Sequence, residues 1–216
     1  VENYHGGMLM VNIGLLGAVS VGKTTILRLF VKYLKTQKIE GVEGGKSCTT
    51  VKTDFSGEAV LDPETGVKET KTIHPNRVVF KEDDTKRNHT IFAPGGDRGR
   101  AVVRMGVITI SRIAKQIVAI FAVDRNLEEQ FQFFQDVRFF PKQIYICFNK
   151  YDLLEPGVRE KTVEEMKSQI IEFFSKRKIG IRDFFYTCAE SVEGMEKYND
   201  AAAAMILKIA VENEGD

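Results

Sequence analysis

Apolar residues recur along the chain in short dense blocks, separated by stretches in which they fall three or four positions apart. The blocks are Met8 to Leu16, Val51 to Leu61, Arg77 to Phe80, Thr90 to Ala93, Gln116 to Val123, Ile144 to Phe148 and Phe184 to Thr187. Their length and their content of Val, Ile and Phe predict β-strands. Helical spacing predicts helices over Thr24 to Lys35, about Gly99 to Lys115, Leu127 to Phe139, Thr162 to Lys176 and Glu196 to Val211. Thr162 with Glu165 reads as a capping box for the fourth, and Ala201 to Ala204 favours helix in the last. Strand alternating with helix implies an α/β fold, a mostly parallel six-stranded sheet with helices on both faces. Ligands of such sheets bind beyond the carboxyl ends of the strands.

One region breaks the alternation. Between Val51 and Ala93 no helix is indicated, and turn signals fall at Asp62-Pro63-Glu64-Thr65-Gly66, at His74-Pro75-Asn76 and in the charged stretch Lys81 to Asn88. This predicts an extended β meander at one edge of the sheet, with the charged stretch as a solvated turn.

At 216 residues a single domain is expected, over 8–212. Val1 to Gly7 reads as a remnant or frayed terminus, with no function placed on His5, and 213–216 as a short tail. Lys and Arg number 31 against 30 Asp and Glu, a net charge of +1, so no global basic field argues for nucleic acid. Cys48, Cys147 and Cys188 are widely spaced and form no Cys-x-x-Cys pair, which points to buried thiols in a reducing cytosol. No apolar run approaches the roughly 20 residues of a membrane span, and no lipidation signal closes the chain. The expectation is a soluble cytoplasmic protein without a membrane anchor.

The chemistry begins where the first apolar block ends. Gly17, Ala18, Val19, Ser20, Val21, Gly22, Lys23 and Thr24 spell Gly-x-x-x-x-Gly-Lys-Thr between a predicted strand and a predicted helix. Glycines allow the backbone N–H groups to approach phosphates, Lys23 adds a charge at the β and γ positions, and Thr24 offers a hydroxyl to Mg²⁺. Thr25 follows on the first turn. Asn149, Lys150, Tyr151 and Asp152 lie at the end of the block Ile144 to Phe148. The Asp152 carboxylate can accept from guanine N1–H and its exocyclic amine, whereas adenine offers neither donor pattern, so the pair of motifs selects a guanine nucleotide. Asn149 can tie this loop to the phosphate loop, and the Lys150 stem can cover the base.

About 35 residues later come Thr187, Cys188, Ala189 and Glu190. With them the chain resembles the small GTPases of the Ras, Rab and Arf superfamily, this stretch standing at their Ser-Ala-Lys loop. The resemblance spans Met8 to Val211 and implies a P-loop NTPase G domain, with the Ala189 N–H meeting guanine O6 and Cys188 in place of serine. It also covers Thr50, Val51, Lys52, Thr53, Asp54 and Phe55, similar to the Rab-type segment after switch I. By that analogy Thr50, or its neighbour Thr49, contacts Mg²⁺ and the γ-phosphate, behind a loop loosened by Gly41, Gly44 and Gly45.

The resemblance fails where hydrolysis belongs. The family's Asp-x-x-Gly-Gln is replaced by Phe92, Ala93, Pro94, Gly95 and Gly96. Gly95 keeps a backbone N–H for the γ-phosphate, but the acid and the glutamine are missing; the chain looks closer to the divergent MglA-like and Rag-like lines, which often depart from the standard switch II. Asp97 could order water, and Arg98 and Arg100, with Arg104 nearby, could neutralise transition-state charge or form a solvated helix start or a partner surface. Phe131, Phe133, Phe134, Phe139 and Phe140 have helical spacing and read as core ahead of interaction surface. The expected function is a switch that binds GTP and GDP with Mg²⁺ and hydrolyses GTP slowly, with regulatory and effector proteins as partners. The alternative is a guanine-nucleotide-binding module that does not hydrolyse. A P-loop kinase is disfavoured by the base-selecting motif.

Overall fold

The central strands form because their sequences are apolar on both faces, the signature of a parallel sheet covered by helices on each side. The computed structural model describes residues 10–36, 47–61, 68–72, 74–190 and 192–211, with backbone alone at 57–61, 68–72 and 211. In chain order the elements are β1 (Asn12–Leu16), α1 (Lys23–Thr36), β2 (Cys48–Asp54), β3 (Gly57–Leu61), β4 (Lys68–Thr72), β5 (Asn76–Glu82), β6 (Asn88–Ala93) and α2 (Ala101–Ile113). They continue with β7 (Gln116–Ala122), α3 (Leu127–Gln135), β8 (Gln143–Asn149), α4 (Arg159–Ser175), β9 (Gly180–Tyr186) and α5 (Glu196–Val211).

Seven strands make one mixed sheet in the order β2-β5-β6-β1-β7-β8-β9. β6, β1, β7, β8 and β9 are parallel neighbours, and β5 runs antiparallel to both β6 and β2. Alternate residues feed two cores. Ile13, Leu15, Val118, Ile120, Tyr145 and Cys147 face the layer of α1 and α5. Leu16, Ile117, Phe121, Ile146 and Phe148 face α2, α3 and α4.

The expected six-stranded sheet is corrected to seven strands plus a separate hairpin. The block from Val51 to Leu61 is two strands: β2 pairs with β5, while β3 pairs with β4 in a two-stranded sheet of its own. The break falls at Phe55 and Ser56, where the Ser56 N–H leaves the ladder and donates to the Asn76 side chain at 2.8 Å. The capping box is also corrected. α4 starts at Arg159, so Thr162 lies inside it with its N–H already bonded to the Val158 carbonyl at 3.0 Å. α3 stops at Gln135, short of Phe139. Pro141 follows closely and disfavours helix in the residue before it. α3 starts on a conventional cap, the Asn126 side chain accepting from the N–H groups of Glu128 and Glu129.

Several expectations lie outside the described residues. These are the terminal segments 1–7 and 213–216 with His5, the glycines Gly41, Gly44 and Gly45, and the turn at Asp62 to Gly66. All three cysteines are buried and none forms a disulfide. Among the described residues no helix is long and apolar enough to cross a membrane.

Candidate functional site

The carboxyl ends of β1, β6, β7 and β8 meet along one margin of the sheet, and the antiparallel β5 brings its first residue, Asn76, to the same margin opposite Ala93. The loop from Gly17 to Gly22 leaves β1 there and enters α1 at Lys23. Ser20 and Gly22 both have positive φ, 58° and 95°. Successive left-handed turns of this kind point backbone N–H groups inward to form an anion-binding concavity, and the N-terminus of the 14-residue α1 adds its dipole. Lys23 is almost completely buried, its Nζ donating to the carbonyls of Gly17 at 2.6 Å and Ala18 at 2.7 Å. Burial pushes its pKa down to about 7, and the two carbonyl acceptors oppose that fall. Val19, Ser20 and Thr25 are partly buried around the same loop and Val21 is wholly buried.

The second loop is joined to the first by a buried side chain. Asn149 Nδ2 donates to the Val21 carbonyl at 2.9 Å, while its Oδ1 accepts from the Thr187 hydroxyl at 3.0 Å. Gly22 makes this possible, because a Cβ there would lie 2.1 Å from Asn149 Nδ2 and its φ disfavours any other residue. The Tyr151 N–H donates to the Thr187 carbonyl at 3.1 Å, so the stretches after β8 and after β9 are also locked together. Lys150 takes a left-handed conformation and pairs with Asp124 at 2.8 Å. Burial pushes the Cys188 thiol up to about 12, and the nearby Asp152 adds to the rise. The thiol donates to the Glu190 carbonyl at 3.2 Å, and Ala189 lies between the two on the same loop, partly exposed.

The third part of the margin is arranged differently. Gly95 is buried, and Gly96 lies so close to the phosphate loop that a Cβ would sit 2.3 Å from backbone atoms of Ala18 and Val19. Arg98 donates to the Phe133 carbonyl at 2.7 Å, approaches Asp136 at 3.6 Å and lies over the Phe133 ring. Burial lowers its pKa. Arg100 pairs with Asp97 at 3.2 Å. A cleft of about 330 Å³ separates these groups from the phosphate loop, lined in part by Ala18, Val19, Gly96, Gln132 and Phe133. Of the five phenylalanines near α3, Phe131, Phe133 and Phe134 are buried and Phe139 is exposed.

Thr50 is not brought to this set. It stands on the edge strand opposite Phe80, four positions along β5 from Asn76, or roughly 13 Å at the rise of a strand. Thr49 is directed further off, donating to Asp83 at 2.7 Å. The reason is topological: β5, not β2, is the strand beside β6, and the segment containing the hairpin intervenes. Thr24 does reach the margin, and a single hydroxyl suits Mg²⁺, which keeps several waters and takes few protein ligands. Among the described residues no group of three or more His, Cys, Asp or Glu could hold a metal. Asn76 lies against Thr24 and donates to its Oγ1 at 2.9 Å. The sequence marks Asn76 only as part of a turn signal, since one polar residue at the head of an alternating strand carries no motif.

Solved structures share this fold. The bacterial selenocysteine-specific elongation factor EF-Sec superposes over 95% of this chain and 29% of its own, with a TM-score of 0.55 and 15% identity. SelB from Methanococcus maripaludis, bound to the GTP analogue GppNHp, covers 94% of this chain and 34% of its own (TM-score 0.52, 13% identity). SsGBP in complex with GDP covers 94% and 50% (TM-score 0.50, 14% identity). The chain has the fold of GTP-binding domains. It spans about a third of the length of the two elongation factors. No family model matches the sequence, and no curated protein does.

Proposed function

We propose that the chain is a guanine-nucleotide switch of the small-GTPase kind, which binds GTP and GDP with Mg²⁺ and hydrolyses GTP slowly. The observation that carries this reading is the buried Asn149, which holds the phosphate loop at Val21 and the base loop at Thr187 in one fixed relation. In this reading the N–H groups of Gly17 to Thr25 receive the phosphates, Lys23 leaves its carbonyls for phosphate oxygens, and Thr24 ligates Mg²⁺. Asp152 and Lys150 read guanine, with the Ala189 N–H at its O6 and the Gly95 N–H toward the γ-phosphate. Regulatory and effector proteins complete the switch.

The test is a calorimetric titration of GDP and ADP into the protein and into Asp152→Ala. The wild type should prefer GDP by at least about a hundredfold. Two charge-assisted hydrogen bonds at about 1.5–3 kcal/mol each support that figure, and the variant should lose the preference while keeping its weak ADP binding. Equal affinity for both nucleotides in the wild type overturns the reading.

A second reading is supported by the third part of the margin. Phe92 packs into the core, and both arginines are engaged elsewhere. The protein would then bind guanine nucleotide without turning it over. Single-turnover assay of bound GTP separates the two, since only the switch releases phosphate.

A further inference from the structure

We propose that Asn76 positions the metal-binding hydroxyl of Thr24 and couples it to the backbone at the end of β2, from the strand beside the one where an acid is missing. The inference rests on the Mg²⁺-dependent guanine-nucleotide reading above.

Asn76 has no solvent exposure, and it lies on the face of β5 that also buries Val78 and Phe80. An amide at such a place costs several kcal/mol unless it is bonded. Its two bonds fix its orientation. Ser56 N–H can only donate, so the Asn76 atom 2.8 Å away is the oxygen, and Nδ2 is left to face Thr24 Oγ1 at 2.9 Å. The Thr24 oxygen thus accepts from Asn76 along a fixed direction, which restricts the direction from which a cation can bind.

The partner strand explains why this falls to β5. Asn76 pairs with Ala93 and Arg77 with Phe92. Ala93 faces the layer of α1, as Asn76 does, whereas Phe92 packs toward the opposite layer with Arg77 over its ring. At this end of the two strands the side chain set against the Thr24 hydroxyl is the Asn76 amide. An amide donor withdraws electron density from the hydroxyl oxygen, whereas a carboxylate would accept its proton and make it a better ligand. Groups that orient a metal ligand in this way change metal affinity by about 10–100-fold.

Two variants separate positioning from packing. In Asn76→Asp the carboxylate can accept from both Ser56 N–H and Thr24 O–H, and in Asn76→Ala both bonds are lost. GDP affinity is measured across a MgCl₂ titration and again in EDTA, with circular dichroism to confirm the fold. The expected result is a Mg²⁺ midpoint about tenfold lower in Asn76→Asp and about tenfold higher in Asn76→Ala, with GDP affinity in EDTA unchanged. Midpoints that move in the same direction, or stay fixed while the wild type depends on Mg²⁺, overturn the inference and leave the guanine reading standing. If Asn76→Ala does not fold, Asn76→Asp decides alone: a lower midpoint supports the proposal and an equal or higher one overturns it. A wild type that ignores GDP, or binds it indifferently to Mg²⁺, removes the parent reading and the inference with it.

Discussion

The two ends of the site margin are built on opposite plans. Toward β8 and β9, the loops are fastened to one another by buried hydrogen bonds, from Val21 to Asn149 to Thr187 to Tyr151. Toward β6 and α2, the contacts are a glycine laid against the phosphate loop and arginines bonded to α3 or to each other's neighbours. Buried, fully bonded networks rigidify the groups they contain, while exposed ion pairs are weak restraints. The first plan suits recognition of a part of the ligand that never changes. On the proposed switch reading, the second suits a segment that responds to the presence of one phosphate.

The comparison breaks most severely at Asn149. Its replacement by alanine leaves the Val21 carbonyl buried without this partner, at about 1–3 kcal/mol, while the Thr187 hydroxyl keeps the Cys147 thiol and the Phe148 carbonyl in reach. Asn149→Ala should therefore lose about 1–3 kcal/mol in urea unfolding, and GDP affinity should drop about a hundredfold as the two loops separate. Gly22→Ala attacks the same joint from the other side and should produce the same pair of losses. If GDP affinity survives in both variants within twofold, the base side is not organised by this joint and the contrast drawn here is wrong.

A smaller effect sharpens the boundary between the two plans, which runs through Lys23. The free fold holds this lysine near 7 by burial, against 10.5 in an unfolded chain. Between those values the unfolded chain binds more protons than the folded one. The stability of the nucleotide-free protein should thus rise with pH from about 7 toward 10.5, by at most about 1.4 kcal/mol per pH unit from this group. Lys23→Met should remove that slope. Denaturant midpoints measured at several pH values in wild type and variant give the difference directly, and a parallel pair of profiles would show that the carbonyls of Gly17 and Ala18 keep the lysine fully charged.

How legible each side was in the sequence follows from the same contrast. The placement of Gly17 to Thr24 and Asn149 to Asp152 at strand ends could be read because both are patterns of fixed residue types at fixed spacing directly after apolar runs. The strands themselves announced their positions through runs buried on both faces. The place of Thr50 could not be read because its motif is short and says nothing of register: β5, not β2, lies beside β6, and the chain leaves the β2 ladder at Ser56. Asn76 was invisible for a related reason. Its contact with Thr24 spans 52 positions and depends on an antiparallel pairing that no local pattern encodes.

The smallest effects belong to the arginines, and they decide how far the responsive side has a catalytic apparatus of its own. Arg98 makes one charge-assisted bond to the Phe133 carbonyl and a partly shielded approach to Asp136, so Arg98→Ala should cost about 1 kcal/mol of stability. Arg100 and Asp97 are both about half exposed, and Arg100→Ala should stay within about 0.5 kcal/mol of wild type. On the structural plan described here, neither change alters single-turnover hydrolysis of bound GTP by more than twofold. A tenfold loss in either variant, with GTP affinity and stability otherwise intact, would mean that the arginine leaves its resting partner to meet the transition state. The cleft between Val19 and Phe133 adjoins both the phosphate loop and Arg98, which gives that guanidinium the shorter route. Arg98 is therefore the variant on which the comparison turns, and Arg100 is its control.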